Sequence, residues 1–313
     1  MTRTAQKYHL GENGFAVYTL SSDFLELQVI PQLGARIACL KSFRSGRDWM
    51  FHGYEPPRYF TNQPGDDFGE SPLLGVDECV PSVGPCEWNG RKIFDHGEVW
   101  SQPWEVDMDA WKHGAILTRV TMPVSPFQFE RSIRLEGEDI QLDYRLTNWG
   151  RQDEVYLWAF HPLINIMPGD RIELPAEVQS VRIGESSGFR QGEPGDLWSW
   201  PEPYPGVYLD DLDRFGDQRS AKLFVDHVGD GCASIVNRQI NERFNILWDT
   251  AENPALGIWI CSGIWNGYYQ MALEPTNVAA EFLSEAAENP VEFKPLHPGE
   301  SRRWQLRIRV DPV

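Results

Sequence analysis

Short runs in which apolar and polar side chains strictly alternate, with no sustained helical period to compete with them, restrict this chain to β-sheet. From Ile140 to Leu146 the apolar residues Ile140, Leu142, Tyr144 and Leu146 interleave with Gln141, Asp143 and Arg145. A strand sorts two such sets onto opposite faces, one buried and one wet. Trp304, Leu306, Ile308 and Val310 alternate in the same way with Gln305, Arg307 and Arg309. Phe127, Phe129, Ser132-Ile133 and Leu135 imply a further strand whose phase slips, as at a bulge. Shorter β-rich runs cover 24–30, 35–41, 115–122, 154–160, 244–248, 256–261 and 291–293. Helix is confined to brief candidates such as 280–287.

A dozen or more short strands punctuated by 23 Pro and 27 Gly predict an all-β fold of antiparallel sheets stacked as a sandwich. The length of 313 residues suits one large sandwich domain, and no linker, repeat or low-complexity tract divides it. The stretch 185–218 departs from the pattern. There Gly, Pro and Asp mix without period with Phe189, Trp198, Trp200, Tyr204 and Tyr208, and the aromatics argue for an ordered functional loop or insertion over disorder.

A net charge of −18 repels polyanions, so neither nucleic acid nor an anionic membrane is an expected partner. An uncharged small molecule is, and phosphorylated ligands are mildly disfavoured. The five cysteines are read as free thiols, since Cys79 and Cys86, the closest pair, lack zinc-knuckle spacing. The first residues lead into no apolar signal segment and no later run reaches the length of a membrane span, which makes a soluble cytoplasmic protein the expectation. No phosphate-binding glycine loop, dinucleotide fingerprint or serine nucleophile elbow occurs.

Two ionisable residues stand beside prolines at the ends of predicted strands: His161 in Ala159-Phe160-His161-Pro162-Leu163 and Glu274 in Ala272-Leu273-Glu274-Pro275-Thr276. Taken alone, His161 also fits a hydrogen-bonded core histidine, and Glu274 either caps a turn or faces a cleft. His96, between Asp95 and Gly97, suits an ordinary turn equally well. In an extended chain Asp95 and His96 would point to opposite faces, which counts against a direct contact between them. The acidic group Asp66, Asp67, Glu70, Asp77 and Glu78 reads as hydrogen-bond acceptors for a ligand, as a solvated surface, or as calcium ligands, although its spacing is not that of an EF-hand; Asp77 and Glu78, next to the proline-bounded Cys79-Val80-Pro81, are the candidates within it for binding substrate. Among the 13 tryptophans, Trp198, Trp200 and Trp265 are the cleft candidates, and the remainder are expected in the core. A homodimer interface is a further use for Trp-rich surface.

Five segments in order, Gly34-Ala35-Arg36-Ile37, Asp95-His96-Gly97-Glu98, His161-Pro162, Glu274-Pro275-Thr276 and Leu296-His297-Pro298-Gly299-Glu300-Ser301, resemble the aldose 1-epimerase, or galactose mutarotase-like, family over nearly the whole chain. The resemblance implies a β-supersandwich with a sugar cleft on one concave face and interconversion of aldose anomers. It further implies His161 as general acid, Glu274 as general base and His96 as a second histidine touching the sugar, with no metal and no cofactor. Asp77 and Glu78 stand near where better-known galactose mutarotases carry an Asn-Arg pair, whose arginine binds the sugar. That departure implies a divergent branch with a different substrate. A catalytically silent sugar-binding or sensor protein and a hexose-6-phosphate 1-epimerase are the alternative functions.

Overall fold

The computed structural model describes residues 4–11, 14–53, 58–71, 73–288 and 294–313. Two antiparallel sheets dominate it. The larger, of 12 strands, runs Ala5–Leu10, Ala16–Ser21, Leu25–Ile30, Arg36–Ser42, Val76–Cys79, Ala159–Pro162, Tyr269–Thr276, Ala255–Ser262, Arg219–Val225, Ser180–Ser187 and Leu197–Ser199, with Ile164–Asn165 also paired to Tyr269–Thr276. The smaller, of 8 strands, runs Asp170–Glu173, Cys232–Asn237, Glu242–Trp248, Ser301–Asp311, Asp139–Asn148, Phe127–Glu136, Ile116–Thr121 and Glu105–Val106. Among the described residues α-helix is limited to Met108–Lys112 and Leu283–Ala287, the latter shorter than the 280–287 expected from sequence. No helix of the described residues is long and apolar enough to cross a membrane. The strand expected at 291–293 lies outside the described residues.

The alternating sets meet where the sheets stack. Leu142, Tyr144, Trp304, Leu306 and Ile308 of the smaller sheet share one core with Val76, Phe160, Ile258 and Leu273 of the larger. Each large aliphatic or aromatic side chain withdrawn from water there stabilises the fold by about 1.5–3 kcal/mol. The sandwich therefore rests on the inward half of each strand, and the outward half is left to other uses.

Strand Phe127–Glu136 corrects the expected phase slip. Its register with Asp139–Asn148 is unbroken, and Phe127, Phe129, Arg131, Ile133 and Leu135 all point inward. Arg131 occupies the slot where sequence reading looked for an apolar residue. Its charge is accommodated by Glu78 of the opposite sheet, which accepts from Arg131 Nη1, Tyr144 Oη and Trp158 Nε1, each at 2.9 Å. Arg131 also donates to the Ala35 carbonyl and lies over the Trp104 ring. Glu78 is thus a core acceptor, fully shielded from solvent, and the expectation that it touches substrate is withdrawn.

The aromatics of 185–218 likewise belong to packing. Ser180–Ser187 and Leu197–Ser199 close one edge of the larger sheet. Trp198, 6% exposed, packs on Phe189 with ring centroids 5.0 Å apart, and Trp200 lies against the same core. These two indoles extend the core and do not line the cavity described below.

Removing one partner of a buried ion pair strands the other charge, at a penalty of about 3–5 kcal/mol. Glu78→Ala should therefore lower unfolding free energy by about that amount in urea melts while leaving the ligand affinity of the folded fraction unchanged. A loss of affinity without a loss of stability would return Glu78 to the binding site.

Candidate active site

Because successive side chains in a strand alternate, the strands that send Val76, Glu78, Phe160, Leu273, Ile258 and Leu223 into the core must present their neighbours on the outer face. Those neighbours are Asp77, Cys79, His161, Glu274, Trp259 and Lys222. Sheet register gathers them: His161 faces Asp77, Glu274 faces Gly257, and Lys222 faces Trp259 across adjacent strands. A side chain at 257 would start 3.0 Å from Glu274 Oε2. Glycine there leaves the carboxylate its room.

His96 arrives from outside the sheet. Its backbone is left-handed, with φ 54°, and is followed by Gly97 at φ 77°. A Cβ on Gly97 would meet the Val80 carbonyl oxygen at 2.2 Å, so only glycine lets this turn press against the strand beneath. The turn also overturns the expectation that adjacent Asp95 and His96 diverge. Asp95 Oδ1 lies 3.0 Å from His96 Nδ1, and Asp95 Oδ2 accepts the Phe68 backbone N–H at 3.0 Å. Phe68 in turn stacks on the His96 imidazole, 3.8 Å between centroids and 10° from parallel.

These groups surround a cavity of about 400 Å³, within the size range of small-molecule sites. His96, His161, Lys222, Trp265, Glu274 and Glu281 line it. Trp265 forms an exposed rim and meets Trp259 edge-on at 5.7 Å. Asp77 does not line it: the carboxylate lies beneath the floor, fully buried, with Oδ1 accepting from Arg36 Nε at 2.7 Å. The expectation of direct substrate contact by Asp77 is corrected accordingly. A shallower groove of about 550 Å³ on the smaller sheet, lined by Glu130, Asp143, Arg145 and Arg303, contains no histidine.

Lys222 was missed by sequence reading. Its Nζ sits 2.5 Å from Glu274 Oε2 and 3.1 Å from Glu281 Oε1. The signal was present, a lone lysine inside the apolar run Ala221-Lys222-Leu223-Phe224-Val225, whose strand must turn one side chain away from the core. Glu281, Phe68, Gln270 and Trp259 were also missed. Glu281 and Phe68 sit on loops that only the tertiary structure brings to the cleft.

Burial dominates the electrostatics. It holds the His161 imidazole well below its ordinary pKa of 6.5, with the charges of His96, Lys222 and Arg36 adding to the effect. Burial raises the Glu274 carboxyl above the ordinary 4.5, and Lys222 only partly opposes it. For Lys222 burial alone would lower the pKa, but Glu274 and Glu281 outweigh it and raise the group, so this lysine is charged. Asp95 is pulled up by burial yet held below the usual carboxylate range by its hydrogen bond to His96, the charge of that ring and the Phe68 amide. His161 Nε2 and Glu274 Oε1 stand 3.9 Å apart. His161 Nδ1, Glu274 Oε1 and Gln270 Oε1 are buried without hydrogen-bond partners. Buried polar atoms are normally satisfied, and a polyhydroxylated ligand in this cavity would supply what these lack.

No family model and no curated protein matches the sequence. Solved structures do match in fold. The Slr1438 protein of Synechocystis sp. PCC 6803 superposes with a TM-score of 0.69 at 17% identity, covering 99% of this chain and 97% of that one. A galactose mutarotase-like protein from Lactobacillus casei gives 0.65 at 14% identity over 94% of this chain and 99% of that one. A galactose mutarotase related enzyme from Lactobacillus acidophilus gives 0.66 at 15% identity, over 94% and 97%. The chain is similar to these proteins along almost its full length and has the galactose mutarotase-like β-sandwich fold.

Removing a cation from beside a carboxylate favours the neutral acid. Lys222→Met should therefore raise the midpoint of the Glu274 carboxyl by about one pH unit or more, read by carbon-13 NMR titration. An unmoved midpoint would mean that Lys222 does not govern the charge of Glu274.

Proposed function

We propose that the protein interconverts the α and β anomers of an uncharged free aldose or a close derivative. The observation that carries this is the convergence of His161 Nε2 and Glu274 Oε1, 3.9 Å apart, at a cavity with room for a small ligand. Opening a pyranose requires the anomeric hydroxyl to lose a proton while the ring oxygen gains one. Both oxygens are bonded to C1, so a base and an acid converging on one carbon can serve both. Glu274 takes the hydroxyl proton, His161 supplies one to the ring oxygen, and the bond from C1 to that oxygen breaks to leave an aldehyde. Rotation about C1–C2 and reclosure give the other anomer, with the proton transfers reversed.

The two groups need one proton between them, and coupled sites titrate as a pair. With His161 lowered and Glu274 raised, their proton affinities approach each other, which suits an exchange in which either partner ends up protonated. Asp95 occupies His96 Nδ1 and leaves Nε2 for a sugar hydroxyl. The indoles of Trp259 and Trp265 offer apolar faces to sugar C–H groups.

Charge favours a neutral ligand. Among the described lining residues Lys222 is the single lysine or arginine, and two carboxylates already engage it. Asp67, Asp95 and Glu185 add further negative charge to the wall. A hexose 6-phosphate would meet repulsion where it needs converging cations.

His161→Ala and Glu274→Gln should each slow anomer exchange by about 10²- to 10⁴-fold, measured by NMR, with circular dichroism unchanged. Near-normal exchange in both folded variants would exclude them as the acid and base. The pH dependence has a defined sign. Activity requires the singly protonated pair, so kcat/KM should fall as pH rises and the coupled pair, with His161 lowered and Glu274 raised, loses its last proton. It should fall again as pH drops and both groups are protonated. A kcat/KM still rising at about pH 7.5 would contradict this assignment.

A further inference from the structure

Cys79 has no part in the sugar chemistry, yet it lies beside it. Its Sγ, a ring nitrogen of His96 and a ring nitrogen of His161 all fall within 4.8 Å of one another. Cys79 is fully buried and His161 is 5% exposed. His161 Nδ1 lacks any hydrogen-bond partner. His96 Nδ1 is held by Asp95, so Nε2 is its remaining donor; a carboxylate behind a histidine is the usual outer support of a metal-binding imidazole. Residues 79, 96 and 161 are too scattered to show as a spacing motif: the sheet brings Cys79 and His161 together, with Cys79 paired to Ala159 and Asp77 to His161, and the turn at Asp95–Gly97 adds His96.

We propose that this thiol and the two imidazoles form a site for a borderline-soft divalent cation such as Zn²⁺, and that the bound ion blocks the sugar reaction. Sulfur and imidazole donors select Zn²⁺ and its neighbours over Ca²⁺ and Mg²⁺, which prefer oxygen. Three protein ligands leave a fourth position open to the cavity, through which the ion enters by way of His96 and His161. Tetrahedral bonds of about 2.0–2.3 Å place donors about 3.3–3.8 Å apart, so the cluster must close by up to about 1–1.5 Å when the ion binds. On binding, the thiol proton leaves to solvent. The ion then occupies a lone pair of His161, the group that must carry the proton in anomer exchange. Metal binding stands without the proposed function; only the block rests on it.

The test uses the metal-free full chain titrated with Co²⁺ and then Zn²⁺. A single equivalent of Co²⁺ should give a thiolate-to-metal charge-transfer band that Zn²⁺ abolishes. Cys79→Ser should lose the band and weaken Zn²⁺ at least about tenfold. Zinc K-edge absorption of the wild type, which requires no variant to fold, should find one sulfur at about 2.3 Å. Absence of both the band and the sulfur overturns the site. Zn²⁺ should slow anomer exchange in the wild type and a chelator should restore it. Unaltered exchange in protein that shows the band overturns the block while leaving the site. If no aldose is accelerated even without metal, the proposed function fails and the Co²⁺ band still decides the site.

Discussion

Strand Val76–Cys79 carries opposite duties on its two faces, and the rest of the molecule depends on keeping them apart. Glu78 points into the sandwich and neutralises Arg131 of the facing sheet, while Asp77 and Cys79 point to the floor of the cavity. Four neighbouring strands obey the same division, sending leucine, isoleucine and phenylalanine one way and His161, Glu274, Trp259 and Lys222 the other. A slip of one residue in any of them would exchange the two sets. The buried ion pair and its tyrosine and tryptophan donors penalise such a slip more heavily than apolar packing alone, because a misplaced Glu78 would leave Arg131 charged and unpaired in the core.

The outer face is shaped by the opposite problem, too much buried charge of one sign. Glu274 and Glu281 converge on one lysine, and Arg36 is consumed by Asp77 below the floor. Burial shifts His161 and Glu274 in opposite directions, so His161 sheds its proton more readily than in water and Glu274 holds one more firmly, which brings their proton affinities together. In the proposed reaction that environment would suit proton exchange with a neutral polyol and oppose a phosphate.

Much of this was legible in the sequence because period-two alternation is a direct record of strand faces. Ile140–Leu146 and Trp304–Val310 lie in the observed strands Asp139–Asn148 and Ser301–Asp311, and His161 and Glu274 lie inside strands Ala159–Pro162 and Tyr269–Thr276, not at their ends, on the cavity side. What failed did so for physical reasons. Arg131 looked like a break in phase because a charge in an inward slot is invisible without its partner 53 residues away. Glu78 and Asp77 looked like ligand acceptors because acidic residues are normally exposed, whereas each has a private arginine. Trp198 and Trp200 lay in an aperiodic stretch whose aromatics cover the core edge instead of a ligand. The contact of Asp95 with His96 required a left-handed turn that an extended-chain argument does not contain.

The central claim is that the outer face of the larger sheet is an acid–base site for an uncharged sugar. It is tested most directly by anomer exchange NMR of the wild-type protein on glucose, galactose, 6-deoxy sugars, uronic acids and hexose 6-phosphates, at a pH where the spontaneous rate is slow. Acceleration of one or more neutral aldoses, with the 6-phosphates and uronic acids left at the spontaneous rate, is the predicted result. Acceleration confined to the anionic sugars would contradict the charge assignment of the cavity, and binding without acceleration of any sugar would contradict the catalytic role of His161 and Glu274.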